Sequence, residues 1–382
     1  MRISLAIIFL LMLILPDTFI SLAFLRKARW WKHILCWLPS IAAFLMAILW
    51  ISGVHGAVRW LTYIMVCCSL PKLAFVCFTL LGLVLGIFHK KLVSIFLKVA
   101  CGAYVLVFCG ALFGCTIGRN ILVENCQDIE CQNLPDEFEH YKIVHISDLH
   151  LGTFSNDSRL VAKMVAQVNA QNPDLIVFTG DLINISANEI EPYSKALSSL
   201  RARDGVVSIL GNHDYGTYGR YHTPDGQQKN LEKLIQTEKE LGWKLLIDSN
   251  VIITRNHCEM AVLGVGNIGK PPFKELGDLK KAMTGVADSS FKILLSHDPS
   301  HWRLEVLPKT DIPLMLSGHT HAMQFKLGRF SPIKWKYEEW GGLYNEGKQQ
   351  LFVSTGIGGS FPFRLGAYPE IAVLTLHKKS HI

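Results

Sequence analysis

The sequence predicts a two-part protein: an N-terminal α-helical transmembrane region of about four spans, followed by a layered α/β domain. Three observations predict it. Half of the 382 residues are hydrophobic and mean hydropathy is positive, but the excess is uneven: residues 1–121 are almost continuously apolar and residues 135–382 are not. Charge divides in the same place. Of 38 Lys and Arg, 11 precede residue 132, and of 31 Asp and Glu, 4 do, so the first part carries +7 (11 − 4) and the second is neutral (27 − 27). In the second part, short apolar runs alternate with helical patterns, as layered α/β domains require. The net charge belongs to the membrane region and gives no argument for nucleic acid, so no such partner is expected. The organisation reads as residues 1–121 anchor, 122–140 polar connector and 141–382 globular domain.

Four apolar segments, Ile3–Leu25, Ile34–Val54, Trp60–Phe88 and Leu92–Ile117, each reach the roughly 20 residues that cross a bilayer. Pro71-Lys72 interrupts the third. The first lacks a small-residue cleavage site, and Pro16-Asp17 breaks its apolar core, so it reads as a retained anchor rather than a signal peptide. Lys72 and Lys98 read as snorkelling or helix-end residues. The loops after spans one and three hold six basic residues (Arg26, Lys27, Arg29, Lys32, Lys90, Lys91); the other face holds three (Arg2, Arg59, Arg119). The positive-inside rule then places the globular domain outside the cytoplasm of a plasma or inner membrane. Seven of the ten cysteines lie in apolar stretches and read as small hydrophobes. Cys126 and Cys131 follow the last span and are read as paired or free alike, and no Cys/His zinc spacing occurs.

In the globular part, Lys142–Ser147 reads as a strand running into a turn. Leu160, Val161, Met164, Val165 and Val168 have helical spacing. Leu175–Thr179 and Val206–Leu210 read as buried strands, with a helix over Tyr193–Arg203 between them and another around Leu231–Leu241. Later strands are predicted at Val251–Thr254, Met260–Leu263, Phe291–Leu295, Ile312–Leu316, Leu351–Ser354 and Ile371–Leu376.

Five of these strands end in polar clusters: Asp148-Leu-His150, Gly180-Asp181, Gly211-Asn-His-Asp214, Ser296-His297-Asp298 and Ser317-Gly-His-Thr-His321. Ligands of such sheets bind beyond the carboxyl ends of the strands, so all five point at one crevice. Any one cluster is an ordinary turn; five together are not. The donors Asp148, His150, Asp181, Asn212, His297, His319 and His321 are oxygen and imidazole without thiolate, which suits manganese, iron or zinc. Seven donors exceed one tetrahedral site and fit two divalent metal ions that share a carboxylate.

The order D-x-H, G-D, G-N-H-D, H, G-H-T-H resembles the calcineurin-like metallophosphoesterase family over residues 141–376. Ser354-Thr-Gly-Ile-Gly-Gly359, Arg364 and Pro369-Glu370 resemble its membrane-associated bacterial branch. The resemblance implies two mixed sheets flanked by helices. It implies one metal on Asp148, His150, Asp181 and His321, and a second on Asp181, Asn212, His297 and His319. It implies that His213 contacts the phosphate and protonates the leaving alkoxide, with Asp214 orienting it. The branch has Gly-Gly-Gln after Gly-His-Thr-His, where this chain has Ala322-Met323-Gln324, which changes the substrate-side loop.

Gly264-Val-Gly266-Asn-Ile-Gly269 matches a dinucleotide fingerprint, but Lys270-Pro-Pro272 follows where a helix must begin, so a plain turn is preferred. Arg364 reads as a phosphate or headgroup contact or as a structural ion pair. His145, His222, His257 and His301 read as structural or surface residues, and no Ser or Cys nucleophile with a triad is present. The favoured function is a membrane-anchored two-metal phosphoesterase acting on a phosphoester, with phospholipids or lipid carriers among its plausible substrates. The alternatives are a catalytically inactive membrane sensory or binding protein, and a transporter, disfavoured because the spans show two lysines and no paired acid.

Overall fold

The computed structural model describes residues 2–54, 56–273 and 275–379, with side chains from Leu11 onward. The chain forms two compact units, Met1–Gly118 with Phe361–Leu365, and Arg119–Ser360 with Gly366–Ile382.

The first unit is helical: α1 (Arg2–Ala23), α2 (Trp30–Ile51), α3 (Ala57–Ile64), a π-helical turn Met65–Ser69, α4 (Leu70–Gly86) and α5 (Lys90–Thr116). Among the described residues, three stretches are long and apolar enough to cross a membrane: Trp30–Ile51, Ala57–Gly86 and Lys90–Asn120. Leu11–Ala23 is a shorter apolar helical stretch. Pro71-Lys72 does not end the third segment. Pro71 falls in the first turn of α4, behind the π-helical turn, where its missing N–H is least costly.

One reading of this unit is corrected. Lys98 is exposed on α5, as a snorkelling residue would be, but Lys72 is buried. Its ammonium pairs with the fully buried Asp17 carboxylate of α1 at 2.6 Å and donates to the Cys36 carbonyl of α2 at 2.5 Å. The spans therefore do contain a paired acid. Asp17 and Lys72 are 55 residues apart, so only the packing of α1 on α4 reveals them as partners.

The second unit has two six-stranded mixed sheets. The first contains β1 (Val123–Cys131), β2 (Lys142–Ile146), β3 (Leu175–Phe178), β4 (Val206–Ser208), β5 (Lys244–Leu245) and, from the chain end, β12 (Glu370–Lys378), in the order β1-β12-β2-β3-β4-β5. The second contains β6 (Ser249–Arg255), β7 (Cys258–Gly264), β8 (Phe291–Leu295), β9 (Leu314–Ser317), β10 (Gly342–Glu346) and β11 (Gln349–Val353), in the order β10-β11-β9-β8-β7-β6. Side-chain alternation builds the layers. Ile143, Val177 and Val207 of one sheet share a core with Val262, Ile293, Leu314 and Phe352 of the other. On the opposite face of the first sheet, Val144, Ile146 and Phe178 pack with Val161, Met164 and Val168 of α6 (Arg159–Ala170) and Leu234, the last from the helix Gly226–Glu240. Each fully buried aliphatic side chain contributes roughly 1.5–3 kcal/mol, and both faces of β2 and β3 collect it.

Parallel pairing of β2, β3 and β4, and of β7, β8 and β9, sends the carboxyl ends of five strands in step to where the polar clusters lie. The connector is not merely a linker: β1 pairs along nine residues with β12, forming the edge of the first sheet. Its alternating apolar and polar residues leave one face exposed, so composition alone shows only polarity. Cys126 is exposed and Cys131 buried on that strand, and both are free. Five residues of strand separate them by about 16 Å, beyond disulfide reach. The helix over Tyr193–Arg203 is shorter than its pattern implies: a 3₁₀ turn Ala187–Tyr193 precedes it and helical structure stops at Leu197. Among the described residues, no helix opens directly after Gly269, in keeping with a plain turn.

Candidate active site

Three of the five strand ends deliver their polar residues through strained backbone. Asp148, His150, Asp181, His319 and His321 all have positive φ, between 45° and 72°. A non-glycine residue held this way costs of order 1–3 kcal/mol and persists only where surrounding contacts over-determine it. The contacts are here. The Asp148 and His150 amides donate to the Gly180 and Asp181 carbonyls at 2.9 and 3.0 Å. The His319 amide donates to the Asp148 carboxylate at 3.1 Å. Gly318 lies against Ser147 and Asp148 so closely that any Cβ would collide with both. The 354–359 signature serves as a floor: the Ile357 and Gly358 amides donate to the carbonyls of Ser147 and Asp148 at 3.0 and 2.8 Å.

These turns bring the donor atoms together. His150 Nε2 lies 3.4 Å and His297 Nε2 3.2 Å from Asp181 Oδ2. His150 and His321 approach through their Nε2 atoms at 3.2 Å, and His321 Nε2 lies 3.5 Å from Asp148 Oδ1. His319 Nδ1 is 3.2 Å from His297 Nε2. The donors form three overlapping groups: Asp148, His150 and His321; His150, Asp181 and His213; and Asp181, His297 and His319. Asn212 adds its side-chain oxygen, which is buried with no hydrogen-bond partner, while its amide nitrogen donates to the Tyr218 hydroxyl at 3.0 Å. An orphaned buried oxygen beside converging lone pairs fits a bound cation.

Hydrogen bonds on the protein side fix which nitrogen of three rings, His297, His213 and His319, faces inward. His297 Nδ1 donates to the Thr179 carbonyl at 2.7 Å, leaving Nε2 toward Asp181. His213 Nδ1 donates to the Asn184 carbonyl at 2.8 Å, leaving Nε2. Tyr337 donates to Asp298 at 3.2 Å, so its oxygen accepts from His319 Nε2 at 2.9 Å and Nδ1 is left for the cluster. Such outer partners set the tautomer and orientation of metal-binding imidazoles. Tyr337 and this role of Asp298 were not legible in the sequence: Tyr337 lies in an unpatterned loop and Asp298 looks like part of a turn.

The electrostatics favour a cation. Burial pushes the Asp181 carboxyl up, but His297, His213 and hydrogen bonds from His150 and His297 outweigh it and hold the group well below the usual carboxylate range. Burial pushes His297 down, yet Asp181 and Asp148 raise it to about 10. A site that binds a proton this tightly on an imidazole attracts any cation placed there.

The expectation for Asp214 is corrected. Its carboxylate does not touch the His213 ring; it accepts four backbone N–H groups, from Asp181, Leu182, Ile183 and Gly211, at 2.7–3.2 Å. It ties the loops after β3 and β4 together and thereby places Asp181 and Asn212. The charge that favours protonated His213 is that of Asp181, and burial outweighs it, so the His213 pKa is lowered. The His213 ring stacks on Tyr218 at 4.3 Å and stands edge-on to His150 at 4.7 Å.

Asp181, Asn212, His213, His319 and His321 open on a cavity of about 290 Å³ whose other walls include Tyr218, Phe273, Lys336 and Tyr337. Arg364 does not line it: it is buried in the Phe361–Leu365 segment, and its amide donates to the Gly114 carbonyl at 3.0 Å. His145 is a core residue, bonded to Thr179 at 2.8 Å and lowered to about 3 by burial. His301 bonds Ser296 and Glu305.

Carboxylate and imidazole donors at the carboxyl ends of a two-sheet α/β domain define a metallohydrolase class of site. Residues 141–323 match the calcineurin-like phosphoesterase family model. The chain is 32% identical over 259 residues to the uncharacterized metallophosphoesterase YkuE of Bacillus subtilis, covering 65% of this chain and 83% of that one. The chain therefore belongs to the calcineurin-like phosphoesterase family and is a phosphoester-hydrolysing enzyme. It is also 31% identical to a bovine transmembrane protein with metallophosphoesterase domain, over 65% of this chain and 56% of that one. It is 27% identical to the UDP-2,3-diacylglucosamine pyrophosphatase LpxG of Chlamydia muridarum, over 63% and 86%. With its apolar N-terminal helices, the chain is a membrane protein of this family.

Proposed function

We propose that this chain is a membrane-anchored phosphoesterase with a two-cation centre, acting on lipid-linked phosphoesters. The observation that carries the reading is the chain of donor atoms, 3.2–3.5 Å apart, running from His321 and Asp148 through Asp181 to His297 and His319. Asp148, His150, Asp181 and His321 would hold one divalent cation. Asp181, Asn212, His297 and His319 would hold the other, with Asp181 shared. Bound manganese, iron or zinc would offset phosphoryl charge and lower the pKa of the attacking water.

The chain's own groups supply the rest. His213, with Nδ1 committed to Asn184, presents Nε2 at the cavity wall and protonates the leaving oxygen. Lys336 is exposed at the same wall, where its ammonium meets phosphate oxygens. The loop 322–337 supports an amphipathic substrate: it holds Lys326, Arg329, Lys334 and Lys336 and no acid, with Leu327 73% and Trp335 77% exposed. The relative LpxG, a pyrophosphatase of a diacylated sugar nucleotide by name, points to the same class.

The test is phosphate release by the detergent-solubilised full chain with added manganese, over phospholipid, lipid-carrier and soluble phosphoesters. Higher kcat/KM for lipid-linked substrates is expected. A preference for soluble esters would overturn the substrate class, and no hydrolysis of any ester with two cations bound would overturn the mechanism. We further infer four crossings, counting the 22-residue α1, with the catalytic domain outside the cytoplasm. A reporter active only after export, fused after Ile382, is then active. Activity of a cytoplasmic reporter instead reverses the orientation.

A further inference from the structure

A second donor cluster lies at the β1–β12 edge of the first sheet and shares no residue with the site above. Glu139, His140 and His377 each offer one donor atom, all within 4.8 Å of one another. Two segments supply them: β12 carries His377, and Glu139 and His140 end the turn that leads into β2. The His140 amide donates to the Leu376 carbonyl at 2.9 Å, which pins the turn to β12.

The contacts around the cluster bring its donor atoms together. His377 Nε2 lies 3.4 Å from Asp128 Oδ1 on β1, and its Nδ1 is 2.9 Å from Glu139 Oε1. Glu139 Oε2 is held separately by the Lys378 amide at 2.6 Å, so Oε1 is left to the two rings. His140 Nδ1 is aimed at the same oxygen from 3.7 Å, too far for a hydrogen bond. The rings stand edge to face with centroids 4.9 Å apart. Donors on one tetrahedral zinc ion lie roughly 3.3 Å apart, given bonds of about 2.0–2.1 Å; the observed separations of 2.9 and 3.7 Å bracket that value. The nearby ammonium, Lys378, is taken up by Asp136 at 2.6 Å.

We propose that Glu139, His140 and His377 bind a zinc ion, with Asp128 orienting His377 as its carboxylate partner. Two imidazoles and one carboxylate favour zinc over the harder manganese, and a fourth position stays open to water. The bound ion staples β1, the turn before β2 and β12.

Bound zinc is counted by elemental analysis on the detergent-solubilised full chain, and modification of histidines by diethyl pyrocarbonate is followed by peptide mass spectrometry. His140 is 75% exposed and so open to the reagent. Zinc is expected to slow its modification at least about tenfold, and the double variant His140→Ala/His377→Ala is expected to hold one zinc fewer than the parent. Asp128→Asn is expected to raise the zinc concentration needed for protection by about 10–100-fold. Equal modification of His140 in the parent chain with and without zinc would overturn the proposal without reliance on any variant. Equal zinc content in parent and double variant would do so as well.

Discussion

Glu238 is fully buried in the helix Gly226–Glu240, with Ser208 Oγ donating to its Oε2 at 2.5 Å and its Oε1 without a partner. Among the described residues no cation compensates it. Burial, and then the charge of Asp214, raise its pKa from 4.5 to about 8, against the Ser208 hydrogen bond. Ionising it in place therefore costs about 5 kcal/mol, from 3.5 pH units at about 1.36 kcal/mol each. The sign follows from proton binding. With the folded pKa above the unfolded value, the folded state holds the extra proton, so the stabilisation is fully present below about pH 4.5 and is lost as pH rises through about 8. Glu238→Gln keeps an acceptor for Ser208 but cannot ionise. Relative to wild type, it should gain up to about 4 kcal/mol between pH 5 and pH 8, three units at the same slope. For a domain of this size that is roughly 8–16 °C in midpoint. The assay is thermal unfolding of the solubilised full chain by tryptophan fluorescence, scanned from pH 5 to 9 for both proteins. Parallel curves across that range would refute the reasoning, because a structural effect of the amide shifts all pH values alike.

Further outcomes are expected for other substitutions. Asp181→Asn weakens the shared donor and should lower both bound-metal equivalents together with hydrolysis of an aryl phosphodiester; two retained metals with full activity would remove Asp181 from the bridging position. His213→Ala should keep both metals and lose about 10²–10⁴-fold in kcat, less for a nitrophenolate leaving group. Asn212→Ala should instead lose one metal, and equal metal loss in the two variants would make His213 a ligand. Lys72→Met leaves Asp17 buried and unpaired and should cost about 3–5 kcal/mol in the helical unit, whereas Asp17→Leu/Lys72→Met should be near neutral. Thermal stability in one detergent tests this, and a double variant as unstable as the single would contradict it.

The candidate metal donors are legible because the chemistry is written at strand ends. A buried strand needs an apolar run, and a ligand must follow it at once, so Leu175–Phe178 before Asp181, or Phe291–Leu295 before His297, marks both element and site. Supporting residues carry no such mark. Tyr337, which orients His319, sits in a loop, and Glu238 lies among the charged residues of a surface-looking helix. The role of Asp214 is hidden for the same reason: adjacency to His213 in sequence says nothing of the direction in which a turn aims two side chains.

Legible in the sequence were the split between apolar helices and α/β domain, nine of the twelve strands among the described residues, and the candidate metal-binding residues, because periodicity and strand-end chemistry are local properties. Tertiary structure alone decided that the polar connector becomes the edge strand β1, that Lys72 meets Asp17 inside the helical unit, that Asp214 grips four amides, and that Glu139, His140 and His377 converge. Each of these joins groups that are polar or charged in their own segments. Their partner, and so their energy, is set by distance through space, which no local pattern encodes.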